Sequence, residues 1–323
     1  MKNHRLVSLF LISLVVSFTL PTSAQQKGQY TPGQYGLNAG VAIMPSPGFT
    51  FANLDLNYSA NALKDSRGTA LPVTGTYSFW VVENIFFYVP EHKILGGKFS
   101  SWAALNWANG SVNANIPDIS GSQLNINGGG VGLTDTWVQP VNLGWHFPRV
   151  DTWVGYAFVA PTGLFSPGNS TNNGSGYWGN NFCSGTTFYV TKNKATQMNL
   201  ATNWEIHGTK RGTNIIPGQA FTQEWGIGQI IPLKKDLSKL LQAGVIGYDQ
   251  WQVTANQGST AAFPFYSMHA IGLQTNFIIP AKGFSAFFKY ENEYLAKATT
   301  QGRTFVFGLT WTVHDPRLTV PTH

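Results

Sequence analysis

Nine polar side chains in this chain are spaced to share the faces of extended strands: Asn53 and Asp55, then Gln197, Asn199, Asn203 and Glu205, then Lys289, Glu291 and Glu293. Residues two apart point to the same side of a strand. The opposite parity is apolar in each case, with Leu54 and Leu56, then Met198, Leu200, Trp204 and Ile206, then Phe288, Tyr290 and Tyr294. Strands that separate water from hydrocarbon read this way. Amides and charges on the water side set which solutes pass, by replacing or repelling their hydration. The same groups also fill the interior of a closed, narrow barrel with hydrogen bonds, and the residues alone leave both roles open. Carboxylates outnumber the one ammonium among the nine, so an open pore lined by them is expected to prefer cations mildly.

Other chemistry finds little support. No Cys-x-x-Cys, His-Glu-x-x-His, Gly-x-Ser-x-Gly or Walker sequence occurs, which removes the usual metal, esterase and nucleotide signatures. A hydrolase built on a barrel wall with its serine two residues from a histidine needs His-x-Ser, and His207 with Thr209 is the nearest approach. His92 and His146 fall in short turns, and His314 lies past the last strand. His207 ends the 195–207 strand, while His269 reads as a hydrogen-bonded imidazole facing the lumen. The single cysteine, Cys183, has no internal partner and reads as a small packing residue. No catalytic residue, metal or cofactor is expected, and the chain is not read as an enzyme.

The elements that must position these faces are about twelve half-apolar segments of strand length. Their connectors alternate between long ones, near 59–75, 108–130, 164–176, 208–218 and 255–264, and short ones, near 90–97, 146–149, 191–194, 232–238 and 280–283. One rim with long loops and one with tight turns is the pattern of a transmembrane β-barrel, with both chain ends on the short-turn side. The connector near 297–302 breaks the alternation, because it should be long and is short. In 284–294 and 303–313 the alternation is clean, whereas in 75–89 and 131–147 both parities are apolar and the facing is undetermined.

Bulk properties agree. Charged residues are 11% of the chain and aromatics 14%, against about 25% charged in an ordinary soluble domain. Lys2 and Arg5 precede an apolar run from Leu6 to Leu20 that ends in Pro21, Thr22, Ser23 and Ala24. Residues 1–24 therefore read as a secretory signal peptide cleaved after Ala24. No later stretch is apolar enough for a spanning helix, so membrane insertion requires a closed barrel. Basic residues are scattered singly or in pairs, which argues against nucleic acid.

Several long stretches also resemble a known family. MPSPGFTFANLDLNY at 44–58, VPEHKILGG at 89–97, DTWVQPVNLGWH at 135–146 and GYAFVAPTGLF at 155–165 carry the likeness. GSGYWGNN at 174–181, NWEIHGTKRGTNIIPGQAFTQEWGIG at 203–228 and GYDQWQV at 247–253 extend it. The chain resembles the outer-membrane proteins named for the meta-pathway of phenol degradation, also called SphA-like or transporter proteins. That resemblance implies a barrel tied to uptake of hydrophobic or aromatic small molecules, and it brings no catalytic residues. A terminal aromatic is usual at the end of such barrels, whereas here a ten-residue tail, HDPRLTVPTH, follows Val313.

The expectation is thus an all-β protein: a leader at 1–24, a periplasmic lead-in or plug at 25–48, an antiparallel barrel of about twelve strands at 49–313 and a tail at 314–323. Its expected task is passage of small organic solutes, aromatic or hydrophobic ones among them, across the bacterial outer membrane. Outer-membrane lipid and the assembly machinery are its expected partners. The other reading is a non-conducting surface barrel whose loops, chiefly 108–130 and 163–176, bind a partner.

Overall fold

The computed structural model describes residues 28–42, 47–117, 123–169, 171–258 and 264–313. The expected leader at 1–24 and the tail at 314–323 lie outside the described residues. Strand segments follow in the order β1 (Gly48–Leu63), β2 (Thr74–Val89), β3 (Lys93–Ile94), β4 (Gly97–Pro117), β5 (Gln123–Leu133), β6 (Thr136–His146) and β7 (Val150–Ala160). They continue with β8 (Gly179–Tyr189), β9 (Thr196–His207), β10 (Ala220–Pro232), β11 (Leu240–Gln252), β12 (Ser267–Ile279), β13 (Phe284–Lys297) and β14 (Thr300–Val313).

All neighbours are antiparallel, and β1 pairs with both β2 and β14, so the sheet closes. The two-residue β3 lies inside a turn, and β5 and β6 run end to end beside β4. The wall therefore has twelve positions. Closure matters because a sheet in hydrocarbon has no water for an unpaired edge. A 13-residue strand at about 3.3 Å per residue, tilted near 45°, rises about 30 Å, enough for the apolar layer. Aromatic side chains ring the outer face at two heights, with Phe49, Tyr88 and Trp311 below and Trp80 and Trp107 above. Phe49 and Tyr88 touch across the β1–β2 ladder with ring centroids 4.8 Å apart.

The connections follow the spacing, with the short turn between β13 and β14 breaking the alternation as the sequence implies. One expected loop is different. Residues 108–130 form a tall hairpin in which β4 continues to Pro117 and β5 begins at Gln123, with Asn113 opposite Asn127 and Asn115 opposite Asn125. Asparagine and glycine are poor strand formers in isolation, but here an existing ladder extends them past the rim.

The facing of β1 also differs from expectation. Asn53 pairs with Leu309 and Asp55 with Phe307, and directly opposed residues share a face. Phe307 is 47% exposed on the outer wall, so Asn53 and Asp55 are not luminal. Ala52, Leu54, Leu56 and Tyr58 point inward instead and are buried. The rule of polar inside and apolar outside inverts here because this half of the interior is itself apolar. Outside, the Asn53 amide donates to Asn84 Oδ1 at 3.1 Å, which satisfies part of the polar stripe. His269 is likewise outside, since Met268 and Ala270 flank it inward. Its ring meets Asp249 Oδ1 at 2.6 Å.

The interior divides into two sectors. Strands β1, β2, β4, β6 and β7 present alanine, leucine, valine and aromatic side chains such as Leu56, Val81, Ala104, Trp137 and Trp153. Strands β8 to β13 present amides and charges, including Asn181, Asn203, Glu224, Gln250, Gln274 and Lys289, all buried.

Candidate functional site

Residues 28–42 run inside the barrel, with a 3-10 turn over Gly36–Ala42, and they lie along the polar sector. Seven of the nine sequence candidates are inside with them: Gln197, Asn199, Asn203, Glu205, Lys289, Glu291 and Glu293. Glu205 Oε2 accepts from the backbone amides of Gln29 at 2.7 Å and Tyr30 at 3.0 Å, and its neighbour His207 approaches the same oxygen at 3.3 Å. Lys289 Nζ donates to the carbonyl of Gly33 at 3.0 Å and to that of Gln34. Asn203 donates to Asn181 at 3.0 Å, and Asn199 Oδ1 accepts from Thr187 at 2.6 Å. Glu293 accepts from the Tyr58 and Tyr248 hydroxyls, both at 2.9 Å, and so ties β13 to β1 and β11.

The strongest anchor is a residue outside that set. Glu224 on β10 accepts from Gly33 N at 2.9 Å and Gln34 N at 3.1 Å through one oxygen, and from Tyr35 N at 2.7 Å and Gly36 N at 3.2 Å through the other. The Tyr30 hydroxyl also donates to it. Charge-assisted bonds of this kind are roughly twice as strong as neutral ones, so one carboxylate organises seven residues of chain. Glycine is required at the tightest point. Gly33 has φ +89, and a Cβ there would lie 2.1 Å from Glu291 Oε2. Glu291 itself is buried, with no hydrogen-bond partner for either carboxylate oxygen among the described residues.

Glu224 stands alone among Trp225, Gly226 and Gly228, so no charged alternation marks it. A different signal was present. Inward glycines in a strand mark close approach of another chain segment, and a Cβ on Gly228 would meet Leu37 Cδ2 at 2.8 Å.

Opposite the polar sector, a cavity of about 540 Å³ separates residues 28–35 from the apolar wall. Phe87, Trp102 and Trp137 form a run of rings, with centroids 5.4 Å and then 5.8 Å apart, the second pair stacked at 14°. Tyr30 extends it at 5.9 Å from Trp137, and Tyr35 stands 5.7 Å from Trp153. Val81, Ala104 and Val159 fill the wall between rings, and Glu83 and Asn106 are the polar side chains facing each other across the β2–β4 ladder. Gln34 Nε2 donates to Glu83 Oε1 at 3.1 Å. This size and lining suit a small apolar ligand with a few polar groups.

The cavity continues toward the long-loop rim, past 73–76, 125–130 and 172–175. Asp135, in the break between β5 and β6, fixes that mouth. It accepts from Gly163 N at 3.1 Å, Ser175 N at 2.7 Å and the Ser175 hydroxyl. Burial pushes its carboxyl above the ordinary range, against the opposing pull of those hydrogen bonds.

Among solved structures, an outer membrane channel from Pseudomonas putida F1 matches with TM-score 0.69 at 11% identity, over 88% of this chain and 100% of that one. The β domain of the Bordetella autotransporter BrkA matches with TM-score 0.46 at 12% identity, over 83% and 100%. A Pseudomonas aeruginosa FadL homologue matches with TM-score 0.42 at 11% identity, over 87% and 98%. The first shows the barrel fold, and identities this low show nothing finer. No curated protein matches the chain. A family profile matches residues 60–309, from the end of β1 through most of β14, and the chain belongs to the family described as "Putative MetA-pathway of phenol degradation".

Proposed function

We propose that this protein is an outer-membrane conduit for small apolar solutes with aromatic rings, which enter from the long-loop rim and lodge in the aromatic cavity. The observation that carries this reading is the cavity itself: about 540 Å³ walled by Trp102, Trp137, Phe79, Val81 and Tyr30, beside a polar sector already filled by residues 28–42. Water gains little from such a wall, whereas a ring gains both burial and offset stacking on the tryptophans. The family's name, with its reference to phenol degradation, supports the same solute class, and the Pseudomonas putida neighbour is itself called a channel.

The test is uptake of a small aromatic probe such as phenol or toluene into proteoliposomes, with Val81→Trp as the variant that fills the cavity. Native protein should raise the rate over empty vesicles, and the filled variant should lose about tenfold or more, in proportion to blocked occupancy. Uptake that survives Val81→Trp in a folded barrel would move the route elsewhere. No uptake by either form would fit the non-conducting surface barrel instead.

A further inference from the structure

The rim of short turns, which in barrels of this type faces the periplasm, carries a pattern that neither closure nor the cavity uses. Every one of its five turns holds at least one cation: Lys93, Arg149, Lys192, Lys235 and Lys282 come from successive turns. Across 90–98, 146–151, 190–195, 233–239 and 280–283 there are nine basic residues and three acids. Exposed apolar side chains stand next to these cations: Leu95 beside Lys93, Phe147 beside Arg149, Val190 beside Lys192, and Leu233 and Leu237 on either side of Lys235.

Two of those leucines are costly where they are. Leu95 is 82% exposed at φ 51, and Leu237 is 56% exposed at φ 59. A left-handed backbone suits glycine or asparagine and is strained for a bulky side chain. Leucine at such a point loses backbone stability and gains no burial within the chain. The same arrangement in two separate turns indicates a surface outside the chain that covers them.

We propose that this rim anchors the barrel to anionic phospholipid headgroups of the leaflet it leaves, with leucines at the acyl boundary and lysines on phosphate. Long cationic side chains lie with their stems along apolar surface and their charge at the headgroups, and each lysine near an anionic surface is attracted to it. The distribution favours lipid over an acidic protein. The cations occur in all five turns and the cation and apolar pairs in four of them, spread along the rim just below the lower aromatic ring of Phe49, Tyr88 and Trp311. A docked protein would call for a footprint on one side.

Native mass spectrometry of the full chain decides this, in nonionic detergent doped with equal phosphatidylethanolamine and phosphatidylglycerol. The native protein should retain phosphatidylglycerol in preference by about fivefold or more, the effect of one well-placed lysine at an anionic surface. Lys93→Gln, Lys192→Gln and Lys235→Gln together should bring the two lipids near parity, while Arg67→Gln with Lys297→Gln on the opposite rim should leave the preference intact. Leu95→Gly with Leu237→Gly should keep or raise the melting temperature in detergent alone, because the strained turns relax, yet retain fewer lipids of both kinds. Equal retention by the native protein, or a preference unchanged by loss of the three lysines, would overturn the proposal. Retention of polyglutamate with no lipid preference would also overturn it, by assigning the rim to an acidic protein.

Discussion

Glu224 holds the luminal segment through five donors, Tyr30 Oη and the amides of residues 33–36, and its removal leaves four N–H groups unpaired, two buried and two half-buried. Each unpaired group costs about 1–3 kcal/mol, so Glu224→Ala should free the segment while the barrel stays closed. Leu37 reports this well because it is fully buried against Gly226 and Gly228. In a Cys183→Ser background, Leu37→Cys should react with a maleimide about tenfold faster or more once Glu224 is alanine. Equal rates would show that other contacts suffice. Lys210, in the β9–β10 loop, gives a pH prediction. Burial pushes its ammonium down to about 8, against about 10.4 in an unfolded chain. Between those values the unfolded state binds more protons, so stability should rise with pH from about 8 to about 10.4. Urea unfolding should show that rise, and Lys210→Met should abolish it while raising stability at neutral pH. At this scale the sequence exposed Glu205, Lys289, Glu291 and Glu293 because each shares a parity with other polar groups. Glu83 and Glu224 stayed hidden because neither has a second charge two residues away, only Val81 and Ile85 in one case and Thr222 and Gly226 in the other.

At the scale of elements, the twelve wall positions were legible because loop lengths alternate, and a barrel with both termini on one rim has few other ways to alternate. The facing of β1 was not. Asn53 and Asp55 alternate with leucine as a luminal row would, yet the row they oppose on β14 is Phe307 and Leu309. Only the pairing partner reveals which side is inside. The β4–β5 hairpin was also hidden, since Asn113, Asn115, Asn125 and Asn127 have loop composition and gain strand geometry from the ladder below. Its lower end meets the loop after β7 at Asp135, where a Cβ on Gly163 would lie 2.6 Å from Gly174 Cα. Backbone that close holds together through the Asp135 acceptor. Asp135→Ala removes three hydrogen bonds at about 1 kcal/mol or more each. Proteinase K should then cut within 163–175 about tenfold faster, with heat-modifiable migration of the barrel unchanged. Native-like resistance would mean that the hairpin alone holds the mouth.

At the scale of the whole molecule, charge is sorted by depth. Among the described residues, Glu83, Glu205, Glu224, Glu291 and Glu293 lie inside the wall against Lys289 alone, all buried, while both rims carry most of the remaining lysines and arginines. That excess of buried carboxylate is tolerable because residues 28–36 bring backbone amides and phenols to meet it, as at Glu205 and Glu224. The segment therefore does two things at once: it neutralises the polar sector by hydrogen bonding, and it forms one wall of the aromatic cavity. Removing residues 25–42 separates these roles. Water should flood the polar sector, the carboxylates there should line a hydrated path, and cations should be drawn through. In planar bilayers the full chain should pass little ionic current, whereas the shortened chain should give steady steps with a reversal potential favouring potassium over chloride. Aromatic uptake should fall at the same time, because Tyr30 and Tyr35 no longer close the cavity. Current with anion preference would mean that the carboxylates do not govern the lumen, and silence from the shortened chain would mean that the barrel collapses onto its own apolar half.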